Sequence, residues 1–165
     1  MKKIKTRKRG FTLLELLVVV LIIGILAAIV LPQYQMAIMK SRYATLIDMV
    51  RVMYEAEQRY YMVHDKYAPT FEGLDIDLSG CTLSNDKTKC NYDWGVCDVS
   101  AYSKRVYCEN NVQLKNAYMR YFESSTNCWA NTNDKNDKYN KLCQIMTGRK
   151  TGYLGQNGNR IVYKF

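Results

Sequence analysis

An unbroken apolar run near the N-terminus constrains this chain more than any other feature. From Leu16 to Leu31 every residue is Leu, Val, Ile, Ala or Gly, and Phe11–Leu14 extends the run upstream, with Glu15 as its one charge. As a helix rising about 1.5 Å per residue, residues 11–31 reach roughly 30 Å, the hydrocarbon thickness of a bilayer. The run follows a basic tail. Lys2, Lys3, Lys5, Arg7, Lys8 and Arg9 place six positive charges and no acid in the first ten residues. That tail belongs on the cytoplasmic side by the positive-inside rule, which puts the remainder of the chain across the membrane. A cleaved secretory signal fits less well. Its apolar region is shorter, and no A-x-A-like site follows here, because Ala27 and Ala28 lead into Ile29, Val30 and Leu31. The segment is therefore expected to stay in the protein.

Composition sharpens this picture. The whole chain carries 24 Lys and Arg against 15 Asp and Glu, a balance that at first suggests a nucleic-acid ligand. Setting aside the six basic residues of the tail leaves 18 against 15, so the excess is mainly local and nucleic acid is not indicated as a partner. With 48% hydrophobic and 24% charged residues the chain is neither disordered nor low in complexity. A mean hydropathy of −0.31 excludes several spans.

Beyond Pro32 the periodicity becomes amphipathic. Met39, Tyr43, Leu46, Val50 and Met53 recur at steps of four and three, one stripe of a helix. Lys40, Arg42, Asp48, Arg51, Glu55 and Arg59 lie between them on a wet face. Tyr60, Tyr61 and Val63 are expected to prolong the stripe until the Asp65–Pro69 region breaks it. A helix from Phe11 to about Val63 is roughly 80 Å long. Its first half is expected to project, and Pro32 to bend it by removing one backbone hydrogen bond.

Residues 65–165 differ in character and hold all six cysteines: Cys81, Cys90, Cys97, Cys108, Cys128 and Cys143. No C-x-x-C pair occurs, against a zinc ribbon or thioredoxin-like motif. On the translocated side of a membrane an even count reads as disulfides, and spacing alone does not choose among the connectivities. Local geometry favours sequential pairing. Trp94–Ala101 and Lys104–Cys108 read as hairpin strands around Tyr102-Ser103, which sets Cys97 opposite Cys108. Cys81 and Cys90 then close the loop around Asn85-Asp86-Lys87, and Cys128 and Cys143 staple the polar segment Asn131–Asn140. Val112–Glu123 reads as a further strand. Tyr153-Leu154 and Arg160–Phe165 read as two more around the turn Gln156-Asn157-Gly158-Asn159. The fold class is α+β: a long helix packed on a small antiparallel sheet, stapled by disulfides.

The junction of tail and helix, Arg9-Gly10-Phe11-Thr12-Leu13-Leu14-Glu15, resembles the prepilin motif of type IV pilins and of the related pseudopilins of type II secretion. The resemblance extends through Pro32 and is only architectural beyond about residue 70. It implies a basic leader over residues 1–10, a membrane and filament-core helix over 11–31, its amphipathic continuation over 32–64 and a globular head over 65–165. It also implies that a membrane-embedded prepilin peptidase cuts between Gly10 and Phe11 and then methylates the new amino group of Phe11. An assembly ATPase and a platform protein would drive the subunits from the inner membrane, where their C-terminal domains face the periplasm, into a homo-oligomeric helical filament: a surface pilus or a periplasmic pseudopilus.

Glu15 stands out on physical grounds as well. A carboxylate within an apolar span carries an insertion penalty that is largest at the helix centre, and it calls for a partner. The apolar segment is expected to offer it none. The freed amino group of Phe11 on a neighbouring subunit would supply one, setting register as much as stability.

Other signals are weaker. Asp75-Ile76-Asp77 and Asn133–Asp137 lack the Gly and terminal Glu of an EF-hand spacing, so solvated loops are favoured over calcium sites, and no metal or cofactor is expected. His64 has no Ser or Cys nucleophile in an identifiable constellation, and no Gly-rich phosphate loop occurs, so no enzyme activity is expected. A type IV pilin-like subunit is the leading reading. A type II secretion pseudopilin and, more remotely, a membrane-anchored binding ectodomain are the alternatives.

Overall fold

A computed structural model describes residues 10–112, 114–155 and 158–165. Most of the basic leader, Gln113 of the expected Val112–Glu123 strand, and Gln156 and Asn157 of the expected C-terminal turn lie outside the described residues. The chain forms two units, divided between Ala37 and Ile38.

The first unit is helical. Helix α1 runs Leu13–His64 and carries Pro32 without interruption. Every large apolar side chain from Phe11 to Leu31 is exposed. A helix with this composition all round has no face to turn toward a core of its own, and among the described residues none covers it.

The second unit, Ile38–Phe165, takes over where charges enter the helix. Met39, Tyr43, Leu46, Val50 and Met53 are all buried, as the spacing predicts, while Lys40, Arg42, Asp48, Arg51, Glu55 and Arg59 are exposed. The stripe ends differently from expectation. It continues through Ala56 and Glu57 to half-buried Tyr60, whereas Tyr61 and Val63 are exposed. Each residue turns the helix by about 100°, so Tyr61 falls off the line that Tyr60 occupies. The helix stops at His64, and Asp65 adopts a left-handed φ of 53° with its N–H donated to the Tyr61 carbonyl at 2.8 Å.

The sheet is antiparallel, with β1 Thr82–Leu83, β2 Lys89–Tyr92, β3 Gly95–Ser100, β4 Arg105–Asn110, β5 Asn116–Tyr121, β6 Thr126–Ala130, β7 Tyr153–Leu154 and β8 Ile161–Lys164. Its order is β1-β2-β3-β4-β5-β6-β8-β7, a meander until β8 inserts between β6 and β7. Register aligns Cys90, Cys97, Cys108, Tyr118, Cys128 and Tyr163 side by side on one face. The second half of α1 lies on that face. Met53 Sδ is 3.8 Å from Cys108 Sγ, and Tyr43 meets Tyr118 edge to face with centroids 6.0 Å apart. Disulfides join Cys81 to Cys90, Cys97 to Cys108 and Cys128 to Cys143. Each bridge contributes about 2–4 kcal/mol by restricting the unfolded chain, useful in a core this small. Gly95 is required at the β2–β3 turn, because a Cβ there would collide with the Glu109 carbonyl of β4.

Two local expectations need correction. The strand expected over Val112–Glu123 is only β5, Asn116–Tyr121. Val112 is exposed, Leu114 is buried in the turn with its N–H donated to Asn110 Oδ1, and Lys115 has a φ of 47°. The chain must reverse between adjacent strands, and that reversal uses the residues whose alternation looked strand-like. The second correction concerns Asn131–Asn140, whose last residues open a helix, α2, at Lys138–Thr147. Asp137 caps its start by accepting from Tyr139 N at 2.9 Å, and Gly148 closes it at a φ of 69°. α2 presents Leu142 and Cys143 to the core. Buried Asn116 donates to the Trp129 and Tyr139 carbonyls at 3.1 and 3.0 Å, tying β5 to β6 and α2.

Glu57 is the one carboxylate that α1 buries completely. Its Oε2 accepts from Ala68 N at 2.9 Å, holding the loop that follows the helix, while Oε1 has no partner among the described residues. Burial pushes this carboxyl up to about 7, partly offset by the Ala68 hydrogen bond.

Met53→Ala is expected to destabilise the second unit by about 2–4 kcal/mol, read as a lower urea midpoint of the full chain in detergent. Because folding raises the Glu57 pKa, its contribution is fully present below the ordinary carboxyl pKa and is lost as pH rises through about 7. The unfolding free energy from urea titrations should therefore fall between pH 5 and pH 8 by an amount on the order of 1–3 kcal/mol. Glu57→Gln should flatten that slope; an unchanged slope would place its origin elsewhere.

Candidate functional site

The candidate site is the start of α1. Gly10 and Phe11 precede the first helical residue, and both are exposed, Phe11 by 81%. A Cβ added at Gly10 would meet nothing within 4 Å, so no packing among the described residues demands a glycine there.

Thr12 then starts the helix. Its carbonyl accepts from Leu16 N at 3.2 Å, and its Oγ1 accepts from Glu15 N at 3.3 Å. In return, Glu15 Oε2 accepts from Thr12 N and Thr12 Oγ1, both at 2.8 Å. This is a capping box: each side chain satisfies a backbone donor that the first turn leaves unpaired. The negative charge also lies at the positive end of the helix dipole. The expectation that Glu15 lacks a partner within its own segment is thus modified. It has polar partners in Thr12, while among the described residues no ion pair includes it. The spacing Thr12-Leu13-Leu14-Glu15 ahead of an apolar run is the sequence signal for this box, and it is legible without coordinates.

The remaining flagged residues stand elsewhere and do not join this junction. Asp75 receives both Arg59 Nε and a terminal Arg59 nitrogen at 2.7 Å, which occupies its two oxygens. That pairing holds its carboxyl below the usual range. Asp134 Oδ1 accepts from Asn136 N and serves the loop before α2. His64 is exposed and stacks on Tyr60, with ring centroids 4.0 Å apart. Among the described residues no group of three His, Cys, Asp or Glu side chains is placed to hold a metal ion.

Part of this chain is similar to known proteins. Residues 5–31 match the family described as the prokaryotic N-terminal methylation motif. The type IV major fimbrial protein FimA of Dichelobacter nodosus is 43% identical over 81 residues, 49% of this chain and 47% of that protein. The type IV major pilin protein PilA of Myxococcus xanthus is 39% identical over 62 residues, 38% of this chain and 28% of the relative. The type IV major pilin protein PilE1 of Neisseria gonorrhoeae shows the same identity over 62 residues, 38% of each chain. The matches thus span about a quarter to a half of these relatives' length. No solved structure matches the chain.

Proposed function

We propose that this chain, whose N-terminal segment is that of the type IV pilin family, is a structural subunit of a type IV pilus or a closely related filament. The observation that carries the reading is an exposed Gly10–Phe11 junction standing directly before a capped helix whose large apolar side chains as far as Leu31 are covered by none of the described residues. Lipid tails satisfy such a helix, and so do identical helices, so transfer between the two carries little hydrophobic penalty. Contacts that repeat head to tail without closing then yield an open filament.

In this reading a prepilin peptidase removes residues 1–10 and methylates Phe11. Removing six positive charges licenses entry into an apolar filament core, and cutting ahead of the apolar run keeps the helix in the mature subunit. Glu15 has two roles in sequence. In the single chain it caps its own helix through Thr12, and in the filament it pairs with the amino group of Phe11 on a neighbour. Pro32 is the place where α1 bends to suit its neighbours. Before assembly the subunit spans the inner membrane once with its second unit in the periplasm, and an ATPase and platform protein supply the work of extraction. No part of this role asks for catalysis by the chain itself. The pseudopilin reading shares every one of these steps, but the relatives that match are named as pilins and fimbrial proteins, which favours the pilus.

Mass spectrometry of the protein from its native membrane should find an N-terminus at Phe11 carrying one added methyl group; a chain that starts at Met1 would support an anchored ectodomain instead. Glu15→Ala should insert into the membrane normally while surface fibres, counted by electron microscopy after shearing, fall at least about tenfold, the effect of losing roughly 1.4 kcal/mol per contact. Wild-type fibre numbers from that variant would remove the proposed pairing.

A further inference from the structure

The sheet face opposite α1 carries a pocket. Alternation along β4 turns Val106 and Cys108 inward, where both are fully buried, and turns Arg105 and Tyr107 outward. Register places Tyr121 of β5 opposite Arg105, and on the same face it brings Asn127 and Trp129 of β6 next to Val162 and Tyr153 of β8 and β7. Together with Arg160 they surround a cavity of about 390 Å³, within the range of small-molecule sites.

The chemistry of its wall is specific. Arg105 lies 5.4 Å from the Tyr107 ring centroid and 5.9 Å from that of Trp129, and Arg160 lies 5.0 Å from Trp129. Two guanidiniums are thus held mainly by aromatic faces. The nearest carboxylate oxygen to Arg160 is Glu109 Oε1 at 3.9 Å, and that oxygen already accepts from Asn131 Nδ2. Arg105 has no ion pair among the described residues. Three polar atoms of the lining residues are buried without a partner among the described residues: Asn127 Oδ1, Trp129 Nε1 and Arg105 Nε. Asn127 is only 4% exposed, and a buried polar group without a partner is costly.

We propose that this pocket binds an acidic saccharide, with the carboxylate of a uronic-type sugar on Arg105 and Arg160. Donors dominate the wall, which selects an oxygen-rich anion, and guanidinium forks match a carboxylate bidentately. The electron-rich faces of Tyr107 and Trp129 suit the C–H-bearing face of a pyranose ring. A nucleic-acid strand fits less well. Its backbone is tracked by an extended basic groove, whereas this pocket of about 390 Å³ takes one ring.

The test uses the full chain in detergent. The sequence has two tryptophans, so Trp94→Phe leaves Trp129 as the sole indole reporter. Glucuronic acid should change its emission saturably, with Kd of about 1 mM, while glucose and acetate give a response at least about tenfold weaker. In the same background Arg160→Gln should weaken glucuronate about tenfold and Arg160→Lys by less, because a lysine keeps the charge and loses the fork. Arg160 is partly exposed, so these variants should unfold at nearly the parent temperature. An equal response to glucose or acetate would overturn the proposal, as would no saturation by about 50 mM glucuronate. So would unchanged affinity in Arg160→Gln, or tighter binding of a single-stranded oligothymidylate than of glucuronate.

Discussion

An apolar helix surface that none of the described residues covers is the condition on which the rest of this protein rests. From Phe11 to Leu31 the side chains of α1 are exposed on every side, and a continuous apolar surface of that size is not stable against water. Lipid and like helices are nearly equivalent in polarity, so a surface of this kind suits either covering. The charge at Glu15 is the exception within it, and the Thr12 box satisfies that charge locally.

The second unit solves the opposite problem. Here the helix has one apolar stripe and the sheet one apolar face, and each covers the other. Met53 against Cys108 and Tyr43 against Tyr118 mark the contact line, and the row of cysteines and tyrosines across the strands gives the helix an even floor. A bridge from Cys143 fastens α2 to the same floor. The opposite face of the sheet has no helix over it and is finished with aromatic rings and guanidiniums, which pack well and still tolerate water. A surface built in this way is open to ligands of matching chemistry, whereas the inner face is committed to packing.

Legibility followed the range of the interactions involved. The stripe from Met39 to Met53 could be read because helical period and burial report the same geometry. Cys97 falls opposite Cys108 in the β3–β4 register, a local consequence of a short hairpin. Other features were harder. Lys138–Thr147 carries a capping Asp137 and a closing Gly148, yet its polar surroundings and low apolar content hide the helix until Cys143 is seen against β6. Val112 and Leu114 alternate like strand residues, but the turn they occupy is dictated by where β4 and β5 must end. Glu57 looks like a wet-face residue by type and becomes a core residue only because the chain folds back to bring Ala68 N onto it. The Thr12–Glu15 box was open to a local reading, since both partners lie within one turn.

Four features were already fixed along the chain: the motif around Gly10–Phe11, the length of the apolar run, the amphipathic continuation and the even set of cysteines. All of these follow from neighbours along the chain, through helical rise, charge asymmetry and side-chain period. The tertiary structure decided which carboxylate is buried, where α2 docks, and that Arg105, Tyr107, Trp129 and Arg160 share one pocket. Those residues come from different strands and a separate turn. Only the register of hydrogen-bonded strands sets which of them stand side by side, and no local propensity encodes that register.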